Sequence, residues 1–163
     1  MATCSFPEAR LFDRYSDYRL AVAQIIAAAQ HELLLCEHDF SHSDLGSRAI
    51  YDALWTFFTA NPAGNLRLIA FNPNYLSQHC QYFLQLTNKF NHLIKLQLAH
   101  ESCHNWHQGF ILADQSHAIR RHHFAWPRGE ITSDAAHVAI LQQQFNAIWE
   151  QSSPCSEWQR LYL

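Results

Sequence analysis

Short apolar runs alternate with amphipathic segments along this chain, and this alternation restricts its fold more than any other feature. Apolar residues that recur every three or four positions are typical of a helix packed on a core, whereas a short apolar run is typical of a buried strand. After a short strand or arm over residues 1–12, helices are predicted from Ser16 to about His31, from Ser47 to Asn61, from Asn72 to about Phe90 and from about Ser133 to Gln151; strands are predicted at Glu32–Cys36, Leu66–Phe71, Ile94–Ala99, Gly109–Ala113 and Ala118–Phe124.

The last two predicted strands form a hairpin. Gly109–Ala113 is an apolar run that ends at Asp114, and the next strand follows the turn residues Gln115 and Ser116. Strands joined by so short a turn are antiparallel, whereas the earlier strands are separated by helices that allow parallel pairing. We therefore predict an α/β fold with a mixed β-sheet flanked by helices. No shift in composition divides the chain, so a single domain over residues 1–163 is expected.

The composition restricts the possible partners. The formal net charge is −3, with nine arginines and two lysines, so the broad basic surface required for duplex nucleic acid is missing and nucleic acid is left open as a partner. Five cysteines without a CxxC pair indicate reduced thiols and a cytoplasmic protein. No apolar run approaches the ~20 residues that span a bilayer. No cofactor is predicted.

Polar residues cluster where predicted strands end. Glu37 and Asp39 follow the first apolar strand, at the carboxyl end where α/β sheets often place their chemistry. Arg120 and Arg121 are neighbours in the last strand and therefore point to opposite faces of the sheet. We expect one arginine to be partly buried and paired with Asp114, Glu37 or Asp39, and the other to be solvated.

A histidine-rich stretch precedes the hairpin. His100, Glu101 and His104 match the HExxH pattern, in which two histidines on one helical face bind zinc and the glutamate polarises the metal-bound water. Ser102 and Cys103 are poor helix formers, so a loop is expected here. Zinc-dependent hydrolysis remains an alternative function, and no residue is assigned as a metal ligand.

The segment from His107 to Asp114, HQGFILAD, resembles the HxKxxxxD signature of the phospholipase D superfamily, with Gly109 at the lysine position. The runs LLLCEHDFS, LRLIAFNPNYL and FNAIWEQSSP also look like a proteobacterial family of phospholipase D-like domains that lack the complete signature. This resemblance covers about residues 16–150. It implies the sandwich fold of that superfamily. The chain is about as long as one half of an enzyme that carries two such motifs.

In that superfamily the histidine attacks phosphorus and the lysine holds phosphate oxygens, so the resemblance assigns catalytic positions to His107 and Asp114. The missing lysine implies a degenerate site, which binds a phosphate-bearing or other anionic ligand, or a protein partner. The alternative is a weak phosphodiesterase or nuclease in which a homodimer joins two His107 side chains. The residues expected to bind the ligand are Arg120, Arg121, His122, Glu37 and Asp39.

Overall fold

The computed structural model describes residues 9–160, in which eight strands form one sheet. The strands are β1 (Arg10–Phe12), β2 (Glu32–Glu37), β3 (Asn65–Ala70), β4 (Ile94–Ala99), β5 (Gly109–Ala113), β6 (His117–Arg121), β7 (Gly129–Thr132) and β8 (Ser152–Ser153). Their order across the sheet is β1-β7-β6-β5-β2-β3-β4-β8.

Helices connect the parallel strands and close the fold. None of those in the described range is long and apolar enough to cross a membrane. A single 3₁₀ turn, Glu101–Cys103, follows β4. The helices are α1 (Tyr15–Ala28), α2 (Arg48–Ala60), α3 (Asn74–His79), α4 (Gln81–Lys89), α5 (Ala135–Glu150) and α6 (Ser156–Arg160).

The sheet is mixed, as predicted. β2, β3 and β4 pair in parallel, with Leu35 opposite Leu68 in the first pair. β5 lies on the other side of β2 and runs antiparallel to it, with Ile111 opposite Leu35. β5, β6 and β7 then form an antiparallel meander. The predicted fold class, parallel in its first part and antiparallel at the hairpin, is confirmed.

The two faces of the sheet are covered by different helices. Successive residues of a strand point to opposite faces. In β2, Leu33 and Leu35 lie in one core with residues of α1 to α4, whereas Leu34 and Cys36 lie in a second core with residues of α5. Because both faces are buried, the central strands are apolar along most of their length.

Two helix boundaries differ from the prediction. The type of residue at Ser16 predicts an N-cap there, but α1 begins at Tyr15 and no side chain caps it. The helix predicted from Asn72 to Phe90 is interrupted at Cys80, whose dihedral angles of φ −115° and ψ 46° are not helical. The apolar spacing of the two pieces continues across this break, which explains why the sequence pattern does not reveal it.

Short strands were harder to predict than long ones. The arm predicted over residues 1–12 contains β1, paired with β7, while residues 1–8 lie outside the described part of the chain. The residues Trp126-Pro127-Arg128-Gly129 predict a turn, but Gly129 is the first residue of β7. A Cβ there would come within 2.1 Å of the carbonyl oxygen of Arg120, so the close approach of β6 and β7 requires glycine.

Candidate functional site: a cleft lined by rings

A cleft opens at the edge of the sheet where β2 and β3 end and β5 begins. Its volume is about 360 Å³, within the range of about 300–1,000 Å³ that is usual for small-molecule sites. The carboxyl ends of parallel strands are also where α/β folds commonly bind ligands. Among the described residues, those that line the cleft are Ala125 and seven that carry rings: His38, Phe71, His104, Trp106, His107, His123 and Phe124.

Two of the rings follow directly after parallel strands. His38 comes after the last residue of β2, and Phe71 comes after the last residue of β3. The backbone N–H groups of Phe71 and Asn72 both donate to the carbonyl oxygen of His38, at 2.8 Å each. These hydrogen bonds fix the two strand ends side by side, and the rings at this edge are therefore held by the backbone.

Phe124 is the centre of one group of rings. Its ring centroid lies 5.2 Å from that of Phe71 and 5.5 Å from that of His38. Phe71 in turn contacts the imidazole of His104 at 5.7 Å. Phe71 is buried and Phe124 is half-buried, so this wall of the cleft is continuous with the core under α5.

His107 and His123 form a second group. Their rings are stacked, with centroids 5.3 Å apart and planes at 23°. The backbone N–H of Ala125 donates to Nδ1 of His123 at 3.0 Å, so the neutral ring carries its proton on Nε2. His107 is exposed, and its imidazole has no hydrogen-bond partner within residues 9–160. Both rings therefore retain an N–H group that can donate to a ligand.

A buried ion pair joins the last residue of β2 to the last residue of β6. Arg121 donates from Nε to Oε2 of Glu37 at 3.1 Å and from Nη2 to Oε1 at 2.5 Å. Both side chains are almost completely buried, at 2% and 3% exposure. Tyr18 of α1 also donates to Oε2 of Glu37, at 3.1 Å. Because a buried charge needs its partners, these contacts fix the Glu37 carboxylate.

The electrostatics of this network follow from burial and proximity. Burial and the neighbouring Glu37 carboxylate raise the pKa of Tyr18 well above its ordinary value, so its hydroxyl remains a donor. Burial lowers the pKa of Arg121, but its hydrogen bonds and charge contact with Glu37 outweigh this, and the net shift is upward. Arg121 is thus a permanent cation whose charge is satisfied internally.

Gly109 makes room for the Glu37 carboxylate. A Cβ on Gly109 would lie 2.0 Å from Oε2 of Glu37, a distance that no pair of non-bonded atoms tolerates. The carboxylate therefore occupies the place where a side chain of residue 109 would begin. A lysine at this position of the signature is incompatible with the Glu37–Arg121 pair as it stands.

Asp114, at the other end of β5, is engaged by the backbone. Its carboxylate oxygens accept hydrogen bonds from the N–H groups of residues 30–32, at 2.7–2.9 Å. Asp114 and Gln115 both have positive φ, 57° and 58°, and Ser116 N donates to the carbonyl oxygen of Ala113. This is the geometry of a type I′ hairpin turn. Asp114 therefore joins the turn to the start of β2.

The other predicted site residues are engaged elsewhere. Arg120 donates to Glu130 on β7 at 2.5 Å, so the expectation that the second arginine is simply solvated is wrong. Oδ1 of Asp39 accepts from the N–H of Ser41, two residues on. His122 is exposed and lines a separate groove beside β1.

The structure thus separates the predicted residues. His107 lines the cleft, and Glu37 precedes the cleft residue His38. The expectation that one arginine is buried and paired with an acidic residue is confirmed by Arg121 and Glu37. The remaining predicted residues are not brought to the cleft: Asp114, Arg120, His122 and Asp39.

The HExxH segment does not form the helix that a zinc peptidase requires. Glu101–Cys103 is one 3₁₀ turn, and Nδ1 of His100 accepts the N–H of Ser102, which caps that turn. His104 instead contacts Phe71 in the cleft. Across residues 9–160, no group of three or more His, Cys, Asp or Glu side chains is arranged to hold a metal ion.

Most of the cleft was missed by sequence reasoning. The last strand was predicted to continue to Phe124, but β6 ends at Arg121. The chain then folds back, and Phe124 N donates to the carbonyl oxygen of His107 at 2.7 Å. This return brings His123 beside His107. The usable signal was the presence of ring residues immediately after strand ends, as at His38.

Several solved structures share this fold. TrmBL2, described as an archaeal chromatin protein with a novel mode of DNA binding, aligns with a TM-score of 0.68 and 12% identity, over 91% of this chain and 54% of TrmBL2. NucT from Helicobacter pylori aligns with a TM-score of 0.64 and 12% identity, over 91% of this chain and 99% of NucT. Nuc from Salmonella typhimurium, a phospholipase D family member, aligns with a TM-score of 0.60 and 12% identity, over 91% and 97%.

This chain therefore spans about half of TrmBL2 and nearly all of NucT and Nuc. At such low identity the likeness establishes the fold, and the predicted phospholipase D-like sandwich is confirmed. A search of curated proteins finds no match. Residues 14–161 match a protein family described as "Domain of unknown function (DUF7931)", and this range contains the whole cleft.

Proposed function

The chain belongs to the family described as Domain of unknown function (DUF7931), and we propose that it is a catalytically degenerate phospholipase D-like domain. It binds a phosphate-bearing or other anionic ligand in the ring-lined cleft and does not turn it over efficiently. The observation that carries this proposal is the Glu37 carboxylate, which lies where the side chain of residue 109 would begin.

The cations needed for phosphoryl transfer are engaged elsewhere. Such chemistry depends on positive groups beside the phosphate oxygens. Arg121 is paired with Glu37, and Arg120 is paired with Glu130. Loss of one electrostatic contact of this kind typically lowers turnover by about 10²–10³. A domain with this arrangement is therefore a poor catalyst even where a nucleophile is present.

Anion binding is less demanding. The cleft is lined by four imidazoles, and no carboxylate is among its described lining residues. Each neutral imidazole can donate one hydrogen bond. Phosphate oxygens are acceptors that suit such donors.

A weak phosphodiesterase is the second candidate, and the exposure of His107 favours it. Its imidazole has no hydrogen-bond partner in the described part of the chain and could reach phosphorus. The mechanism implied by the superfamily resemblance uses two such motifs, and this chain has one. Hydrolysis on this route would require a homodimer that brings two His107 side chains together.

We also propose a cytoplasmic location. Cys36, Cys80, Cys103 and Cys155 are free thiols in the described structure. Burial and the charge of Asp39 raise the pKa of Cys80 to about 12, so this thiol remains protonated and unreactive at neutral pH. Several unpaired thiols are compatible with a reducing compartment.

Binding is tested by calorimetric titration of the purified protein with inorganic phosphate. We expect saturable binding. His107→Ala should weaken it roughly 2- to 12-fold, the value of one hydrogen bond of 0.5–1.5 kcal/mol. His92→Ala is the matched control, because His92 is an exposed histidine before β4, at the opposite end of the sheet. Equal affinities for both variants would overturn the proposal.

Catalysis is tested with bis-p-nitrophenyl phosphate in the presence of EDTA. We expect the wild-type rate to equal that of His107→Ala. A wild-type rate well above that of His107→Ala, increasing with protein concentration as a dimer forms, would replace the binding function with the phosphodiesterase.

A further inference from the structure

We propose that the ligand of this cleft presents a flat, unsaturated ring, and that the ligand class is a phosphate ester joined to such a ring through a sugar, as in a nucleoside monophosphate. This inference rests on the proposed function for the phosphate and on the rings of the cleft for the remainder.

The lining of the cleft is unusual in its uniformity. Seven of its eight described lining residues carry rings, and none carries an aliphatic chain longer than that of Ala125. A cleft built to exclude water from an alkyl chain needs only apolar volume, which leucine or isoleucine supplies equally well. Planar groups are favoured over alkyl groups where ring faces and edges are available for offset or edge-to-face contacts.

The rings are open to a ligand rather than enclosed in the core. His38, His104 and His107 are exposed, and Trp106, His123 and Phe124 are half-buried. The Nε1 of Trp106 is already used, since it donates to the carbonyl oxygen of Gln108 at 2.7 Å. Trp106 therefore offers the cleft its ring surface and not a hydrogen bond.

The polar groups of the cleft complement the phosphate part of such a ligand. The hydrogen bond from Ala125 N to Nδ1 leaves the proton of His123 on Nε2. His107 is stacked on His123 at 5.3 Å, so two imidazole donors lie side by side. The stacked imidazoles of His107 and His123 and the paired phenyl rings of Phe71 and Phe124, with centroids 5.2 Å apart, match a ligand with one anionic end and one planar end.

The test compares three compounds by calorimetric titration at pH 6.0: adenosine 5′-monophosphate, ribose 5-phosphate and adenosine. We expect the monophosphate to bind best and ribose 5-phosphate to bind roughly 5- to 150-fold more weakly, the usual value of stacking one base on an aromatic side chain. Saturation-transfer NMR should show contact of the adenine protons with the protein.

Phe124→Leu removes the central ring with little change in volume. It should bring the affinity for the monophosphate close to that for ribose 5-phosphate and leave the ribose 5-phosphate affinity unchanged. Phe90→Leu is the matched control, because Phe90 is a half-buried phenylalanine packed on Trp55 and Phe58 away from the cleft. Thermal unfolding of both variants verifies that they are folded.

The outcomes separate the two proposals. Equal binding of the monophosphate and ribose 5-phosphate, or no effect of Phe124→Leu, overturns the ring inference and leaves phosphate binding intact. Adenosine that binds as well as its monophosphate overturns phosphate recognition and leaves the ring contact. Absence of binding by all three compounds overturns both.

Discussion

The two ends of β5 carry the outer residues of the HQGFILAD segment, and they serve different purposes. Asp114 is held in a type I′ turn and accepts hydrogen bonds from the backbone of residues 30–32. His107 is exposed in a cleft and contacts another imidazole. A signature residue whose partners are backbone N–H groups supports the fold, whereas one whose partners are rings and solvent is available to a ligand. Between them, Gly109 leaves space for a buried ion pair.

The largest effect on stability is expected at that ion pair, next to Gly109 at the His107 end of β5. Arg121→Met leaves the Glu37 charge buried without its partner, which typically lowers the free energy of unfolding by about 3–5 kcal/mol. Adding Glu37→Leu removes the unpaired charge and should recover part of the loss. Urea unfolding followed by circular dichroism measures both. If the double variant is no more stable than Arg121→Met, the loss of stability does not come from the unpaired Glu37 charge.

Asp114→Ala should have the next largest effect. It removes three hydrogen bonds to backbone N–H groups and places alanine at a positive φ, so we expect a loss of about 2 kcal/mol, the upper end for a capping side chain. Asp114→Asn, which retains an acceptor oxygen and tolerates positive φ, should lose less. Asp52→Ala serves as a control, because Asp52 is exposed and pairs with Arg48 on the helix surface. Similar losses in the free energy of unfolding for the two alanine variants would show that Asp114 does not support the fold.

The pH dependence of stability should depend on Tyr18, next to Glu37. The pKa of Tyr18 is raised in the folded protein, so the unfolded chain loses the phenol proton first as the pH rises past about 10. This contribution to stability is complete below pH 10 and is lost above it, by on the order of 1 kcal/mol at pH 11. Tyr18→Phe should flatten the decline between pH 9 and 11 in urea unfolding. Parallel curves for the two proteins would show that Tyr18 is not responsible.

His107→Ala should have the smallest effect on stability, within about 0.5 kcal/mol, because an exposed side chain without buried hydrogen bonds contributes little to folding. The same variant is expected to weaken phosphate binding, so it separates ligand binding from folding. A melting temperature that falls as far as that of Asp114→Ala would mean that His107 is part of the scaffold.

The long elements of this fold could be predicted from the sequence because helices that bury one face have periodic apolar residues, and strands that bury both faces have continuous apolar runs. β4 and β5 have the predicted bounds, and the parallel-then-antiparallel order follows from connection lengths. The short strands β7 and β8 could not be predicted, since they depend on pairing with distant segments rather than on local pattern. The break at Cys80 could not be predicted either, because the apolar spacing continues across it.

The candidate site was predictable only in part, for a similar reason. The resemblance identified His107, and strand alternation predicted that one of Arg120 and Arg121 is buried. The choice of Glu37 as the partner depends on β5 lying between β2 and β6, which local sequence does not determine. The return of the chain brings the backbone N–H of Phe124 to the carbonyl oxygen of His107, a contact between segments that the local sequence does not determine.

The contact between Gly109 and Glu37 also has an evolutionary consequence. A lysine introduced at position 109 would collide with the Glu37 carboxylate. A neutral residue introduced first at position 37 would leave the Arg121 guanidinium buried without its partner. Since the first change creates a steric clash and the second leaves a buried unpaired charge, positions 37, 109 and 121 can change only together.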